Sequence, residues 1–311
     1  LTAHCVVNRL VGEEQLKLDV PGRIVRAVSG FYYVQTEDGA IRQCRARGVF
    51  RKRDIRPLVG DHVLVEPQGL SEGIVVEVRP RHSELVRPPI ANVDQALLVF
   101  SLADPPLSFY QVDKMLAMIE SCSLRALLGF TKVDLPESSH LFETVRAIYE
   151  PLGYETIALD VRDGVGSQRV TELLAGHTTV LAGQSGVGKS TILGVLLPEA
   201  NAVTGEVGDR SHRGRHTTRH VQLYPYAGGY VADTPGFSQF DFDAMEPVQL
   251  TSLFRDIATM AVDCAFRGCL HEQGTDCAVL RAVARGRIKQ SRYDNYRQLL
   301  AELKEAKARR Y

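Results

Sequence analysis

The 311-residue chain lacks any apolar run long enough to cross a membrane. A helical span needs about 18 such residues, and the longest stretch, Ala96 to Ala103, falls well short of that. No secretory apolar core opens the chain either, because Asn8, Arg9, Glu13, Glu14 and Lys17 interrupt its first twenty residues. The expectation is a cytoplasmic protein with no membrane partner. Cysteine is scarce, and six in such a chain argue against a disulfide framework. Net charge is absent as well, with 37 basic and 37 acidic side chains. Internal repeats and low-complexity linkers are also missing.

The charges that cancel in sum are separated along the chain. Between Ile41 and Arg56 stand Arg42, Arg45, Arg47, Arg51, Lys52, Arg53 and Arg56 against Asp54 alone. From Arg281 to Tyr311 ten Lys and Arg face only Asp294, Glu302 and Glu305. Two basic ends around an acidic middle suit a protein that grips a polyanion at two places; each run taken alone is equally compatible with a solvated surface.

Three stretches of different pattern follow an N-terminal extension, 1–19. Residues 20–86 alternate short β-rich runs (GRIVRAV, FYYVQT, DHVLVE, GIVVEV) with turn signals such as Asp38-Gly39, which predicts a small barrel of about five strands. An OB-fold fits the length, and its face and loops commonly bind nucleic acid; the basic segment 41–56 is expected in a loop or on a strand edge. Residues 87–242 alternate strand-length apolar runs (QALLVFSL, LRALLGF, ETIALD, TTVLAG, GGYVAD) with stretches such as SFYQVDKMLAMIESC, whose apolar residues recur at three and four. That alternation predicts a mainly parallel sheet with helices on both faces, and ligands at the carboxyl ends of its strands. Residues 243–311 read as helices around a Cys/His cluster, ending in a long basic helix from Tyr293 to Arg310.

Chemistry concentrates in five motifs. Gly183-Gln184-Ser185-Gly186-Val187-Gly188-Lys189-Ser190, followed by Thr191, fits a P-loop between a strand and a helix. Backbone N–H groups and the helix N-terminus are expected to face phosphates, Lys189 to reach the β and γ phosphates, and Ser190 to ligate magnesium. Asp233-Thr234-Pro235-Gly236 follows a strand, which makes Asp233 the second magnesium-side carboxylate and the Gly236 N–H a γ-phosphate sensor. Thr131-Lys132-Val133-Asp134 ends another strand; a carboxylate there accepts from the N1–H and N2–H of guanine, a pair adenine does not offer. Between the P-loop and DTPG lies the polar stretch RGRHTTR. Thr217 or Thr218 is expected to close on magnesium from that loop, with His216 a candidate to orient water. Cys264, Cys269, His271 and Cys277 form C-x4-C-x-H-x5-C, a four-ligand set suited to one structural zinc; Cys5, Cys44 and Cys122 read as small buried hydrophobes.

The order of these motifs is permuted, because TKVD precedes the P-loop that comes first in ordinary small GTPases. With a barrel in front and the cysteine cluster behind, the chain from about Val20 to Tyr311 resembles the ribosome small subunit-dependent GTPase A family (RsgA, also called YjeQ or YloQ). GQSGVGKS, GRHTTRH and ADTPGF match it nearly letter for letter. The resemblance implies a circularly permuted GTPase that binds GTP and GDP and hydrolyses GTP when stimulated by the small ribosomal subunit. It further implies contact with that subunit's rRNA late in maturation, and zinc on the four C-terminal ligands. Nothing in the sequence calls for more than a monomer. Two positions depart from the family pattern: Thr131 stands where the guanine motif usually has Asn, and Asp160-Val161-Arg162 where a Ser-Ala-Lys loop is usual. Phe237 follows DTPG where many GTPases place a water-orienting Gln, so slow intrinsic hydrolysis is expected. Passage of the chain from DTPG into the zinc domain within thirty residues suggests that nucleotide state sets the angle of the last helix. Two other readings stay open at this level: a P-loop kinase or ATPase, which would have no use for TKVD, and an RNA-binding protein in which GTP only fixes domain angles.

Overall fold

A computed structural model describes residues 19–309 apart from 87, 136–137, 161–165, 199–220, 234–244 and 275. Five strands open it: β1 (Val20–Val28), β2 (Phe31–Thr36) and β3 (Ile41–Ala46), then the one-turn helix α1 (Val49–Lys52), then β4 (His62–Pro67) and β5 (Glu72–Val78). They pair in the order β1-β2-β3-β5-β4, and β4 returns to β1, which closes a barrel. Alternate residues fill it, since the side-chain period of a strand is two: Ile24, Val34, Cys44, Val63, Val65 and Val75 are all buried. The basic segment 41–56 therefore does not lie on a strand edge or only in a loop. Closure pairs β3 on both sides, with β2 and β5, and the cations continue from that strand into α1.

A short hairpin, β6 (Glu84–Val86) and β7 (Pro89–Ala91), leads to the sheet. There follow β8 (Gln95–Ser101), α2 (Phe109–Ser121), β9 (Arg125–Thr131), α3 (Ser138–Tyr149), β10 (Glu155–Leu159), α4 (Ser167–Leu174), β11 (Thr178–Gly183), α5 (Lys189–Leu196), β12 (Gln222–Tyr226) and β13 (Gly229–Asp233). The strand order is β10-β9-β8-β11-β13-β12, with all neighbours parallel except the antiparallel β12–β13 pair. Every residue of β8 is buried, as a central parallel strand covered on both faces requires. Ala96, Leu98 and Phe100 pack with α2 and α3 on one face; Leu97 and Val99 pack with α4 and α5 on the other. The chain adds β9 and β10 on one side of β8, then crosses to add β11 and β13 on the other. The switch point between β8 and β11 opens a crevice at their carboxyl ends.

No strand follows Asp233 among the described residues. The C-terminal part contains α6 (Leu250–Leu253), α7 (Arg255–Ala261), α8 (Ala278–Ala284) and α9 (Gln290–Ala308), so the last helix begins three residues earlier than its sequence suggests. Its attachment to the sheet unit is polar and buried. Arg292 of α9, 2% exposed, makes ion pairs with Asp113 of α2 and Asp256 of α7. Asp113 also accepts from Tyr149 Oη of α3 at 2.8 Å and from Asn295 Nδ2 of α9 at 2.7 Å. Burial pushes the Asp113 carboxyl upward, and the Arg292 charge pulls it back. At the rim, Arg255 lies 2.7 Å from Glu120 and 4.1 Å above the Tyr154 ring.

No described helix is long and apolar enough to cross a membrane. Removing the guanidinium while keeping the apolar stem, Arg292→Met, takes the counter-charge from two buried carboxylates. The expected cost is about 3 to 5 kcal/mol of stability, measured by urea unfolding; a change under about 1 kcal/mol would mean that this network does not hold the C-terminal helices.

Candidate nucleotide site and cysteine cluster

The P-loop lies at the switch point because its backbone must pass against β8. Gly183 ends β11 at φ 151°, and a Cβ there would stand 2.3 Å from the Val99 carbonyl oxygen, so a side chain would push the loop off the strand. Val187, 1% exposed, anchors the loop among the apolar residues of the α4 and α5 face. Gly188 caps α5 in the left-handed region at φ 100°, which turns the N–H groups of Lys189, Ser190 and Thr191 out of the first helical turn. The Lys189 ammonium is held over the loop mouth by the carbonyls of Gly183 at 2.7 Å and Gln184 at 2.6 Å. Ser185, Gly186 and Ser190 are exposed.

The adjacent strand ends carry the other sequence-predicted residues. Ser101 of β8 stands opposite Thr131 of β9, and Thr131 opposite Leu159 of β10, which brings Asp160 beside TKVD. A cavity of about 230 Å³ opens between them and the P-loop, lined by Thr131, Lys132, Asp134, Leu135, Leu159, Asp160, Val187, Gly188 and Thr191. Its apolar walls and its carboxylates suit a flat heterocycle with polar edges. Leu135 and Leu159 escape sequence reasoning because they are indistinguishable there from ordinary core positions. Val133 packs against the core instead of lining the cavity. Lys132 adopts φ 59° and donates to the Asp104 carbonyl, in the loop between β8 and α2.

Thr131 does structural work that the sequence only half discloses. Its Oγ1 lies 2.8 Å from the Val187 carbonyl and 3.2 Å from that of Phe100. A hydroxyl has one proton to donate, and the shorter bond reaches the P-loop. Thr131, standing where the family pattern has Asn, thus braces the base-side motif against the phosphate loop.

Asp233 ends β13 opposite Leu181 of β11, two residues before Gly183. Ser190 lies in the first turn of α5, and its hydroxyl is a hard oxygen donor of the type that magnesium takes. His216, Thr217, Thr218 and Gly236 lie outside the described residues.

In the C-terminal part the four cluster ligands converge, with their donor atoms all within 4.8 Å of one another. Sγ of Cys264 and Cys277 stand 3.9 Å apart, Sγ of Cys269 and Cys277 4.0 Å, and Nδ1 of His271 lies 3.6 Å from Cys264 Sγ and 3.4 Å from Cys277 Sγ. A tetrahedron with metal–sulfur bonds of about 2.3 Å has edges of about 3.8 Å, so the set fits one zinc. Burial pushes the Cys277 thiol up to about 11 and lowers the His271 imidazole. The imidazole is thereby kept in its ligating neutral form, while the Cys277 thiol needs a cation beside it to ionise. Tyr293 and Tyr296 of α9 donate to the His271 and Leu270 carbonyls at 2.7 and 3.2 Å, tying the ligand loop to the last helix.

A family model for the RsgA GTPase matches residues 78–243, over half of the chain, and one for the RsgA N-terminal domain matches residues 21–75. The chain belongs to the RsgA GTPase family. Curated relatives described as small ribosomal subunit biogenesis GTPase RsgA include that of Halalkalibacterium halodurans, 44% identical over 93% of this chain and 99% of its own. That of Bacillus anthracis is 46% identical over the same shares. Among solved structures, that of YloQ, described as a circularly permuted GTPase, superposes with a TM-score of 0.81 at 37% identity, covering 96% of this chain and 99% of its own. YjeQ from Thermotoga maritima gives 0.80 at 31%, covering 92% and 99%.

The Thr131 brace has a direct test. Thr131→Val keeps the shape and removes the hydroxyl, and it should weaken GDP binding by about three- to tenfold in isothermal titration. Unchanged affinity would mean that the bond to Val187 contributes nothing to this RsgA-family pocket.

Proposed function

We propose that this chain hydrolyses GTP to GDP and phosphate as a factor that binds the small ribosomal subunit and its rRNA and assists its late maturation in the cytoplasm. The observation that carries the reading is the meeting of TKVD, Asp160 and the P-loop around one cavity at the sheet's switch point. The relatives' description as small-subunit biogenesis GTPases supports the partner. In this reading the chain acts as a monomer divided at 20–86, 87–242 and 243–311, after the extension 1–19.

The base enters the cavity beside Asp134, whose carboxylate selects guanine, with Thr131, Lys132 and Asp160 on the same side, while Val133 anchors the motif in the core. Backbone N–H groups from Gly183 to Thr191 receive the phosphates, and Lys189 turns from its loop carbonyls to the β and γ oxygens. Ser190 and Asp233 hold magnesium, which when bound neutralises charge on the β and γ phosphates. A water oxygen bonds to the γ-phosphorus as the bond to the β–γ bridging oxygen breaks, and GDP leaves with that electron pair. His216 orients the water, while Thr217, Thr218 and the Gly236 N–H respond to the γ-phosphate. The apolar Phe237 supplies no amide for this task, which leaves room for stimulation by the partner. Cys264, Cys269, His271 and Cys277 hold one structural zinc.

Charge supports an RNA partner, although part of the basic C-terminal run is taken up by internal ion pairs. Arg292 is buried, and Lys304, Lys307 and Arg309 pair with Glu272, Glu246 and Glu305. Arg285, Arg287, Lys289 and Arg297 are exposed and carry no ion pair among the described residues. At the barrel, a cavity of about 720 Å³ is lined by Phe31, Arg45, Arg47 and Arg56, with Arg45 4.8 Å from the Phe31 ring. Cations beside an aromatic face suit an RNA strand.

Turnover of GTP and ATP, each with and without purified small subunits, tests the assignment. Slow GTP hydrolysis that the subunits accelerate at least tenfold is expected, with His216→Ala losing most of that acceleration. ATP preference, or no acceleration, would overturn it; full acceleration in His216→Ala would remove only that residue's role.

A further inference from the structure

Among the described residues the barrel meets the sheet at one strand pairing, Arg26 of β1 opposite Gln222 of β12. Gln222 in turn stands opposite Asp233 of β13, and Asp233 opposite Leu181 of β11. One rung therefore runs from the barrel wall, through the first residue of DTPG, to the strand that ends in the P-loop.

A second contact acts on the same hairpin. Tyr230 of β13, three residues before Asp233, lies under the Arg23 guanidinium of β1 at 4.6 Å and donates its hydroxyl to Gln35 Oε1 of β2 at 3.1 Å. Arg23 is itself fixed, donating to the carbonyls of Gly60 at 3.2 Å and Asn92 at 2.9 Å. Between β12 and β13 the turn residues Ala227 and Gly228 have φ 47° and 75°, the primed turn whose twist matches that of paired strands. Such a ribbon is stiff, and a shift at Tyr230 reaches Asp233.

We propose that the barrel is a positioning element for the nucleotide site: Arg23 and Gln35 hold Tyr230, and through Tyr230 and the Arg26–Gln222–Asp233 rung they set where Asp233 stands relative to the P-loop. Arg23, Gln35 and Tyr230 touch neither phosphate nor base in this account and are positioning residues. The inference rests on the reading of Asp233 as a magnesium-side carboxylate. It also gives the barrel's partner a physical route to the nucleotide, since a load that moves β1 moves Asp233.

The test measures binding. Dissociation of a fluorescent GDP from the full chain is followed while magnesium is titrated, and the magnesium concentration that slows release half-maximally is read. Gln35→Ala and Tyr230→Phe each remove the same hydrogen bond, so each should raise that concentration about threefold to fivefold, and the double variant no further. Gln35→Glu keeps an acceptor and should stay near the parent chain. Release without magnesium should be the same in all of them, which a general loosening of the fold would not allow. If Asp233→Asn raises the concentration while Gln35→Ala and Tyr230→Phe leave it unchanged, the barrel has no positioning role. If Asp233→Asn also leaves it unchanged, the reading of Asp233 fails instead.

Discussion

The contact between Gly183 and Val99 fixes the rest of the site. A strand that enters a phosphate loop at the switch point must run against its parallel neighbour without a side chain between them. At 2.3 Å from the Val99 oxygen, a Cβ on residue 183 has no place. Once β11 is seated there, Val187 reaches the apolar face and Gly188 turns α5 toward the crevice. The strand register then brings Thr131, Leu159 and Asp160 to the same end of the sheet. Permutation leaves this geometry intact because the crevice depends on which strands are neighbours and not on which comes first in the chain.

Much of this is legible in the sequence. The period-two runs of residues 20–86 closed into a barrel, the buried run QALLVFSL became the central strand, and the cysteine spacing placed four ligands together. The strand β12 was not legible. Its sequence QLYPY contains Pro225 and little apolar pattern, and it is held by pairing with β13 and β1. A strand kept in place by its neighbours leaves a weak local signal. Thr131 is legible as a departure from Asn, but the partner it braces is not, because Val187 is 56 residues away and only folding brings the two together.

Charge was the least readable quantity. Ten cations at the C-terminal end suggested a basic helix, yet α9 spends Arg292 on Asp113 and Asp256, and Lys304 and Lys307 on Glu272 and Glu246. These partners lie tens of residues distant or more, so a local count of Lys and Arg overstates the charge left to a partner. What the pairs provide is attachment. The C-terminal helices are fastened to α2 and α3, the barrel to the β12–β13 hairpin, and the nucleotide cavity lies in the sheet that both hold. A polyanion that engaged the barrel and the Arg285–Lys289 turn together would sense that sheet from two sides.

Nucleotide state and attachment to the small subunit meet in this sheet, so each is expected to bias the other. Co-sedimentation of the full chain with purified small and large subunits, in a non-hydrolysable GTP analogue or in GDP, tests this link most directly. Retention on the small subunit alone is expected, with at least tenfold tighter binding in the analogue than in GDP, which by linkage is the same factor by which the subunit favours GTP. Equal binding in both nucleotides, or retention on neither subunit, would contradict it.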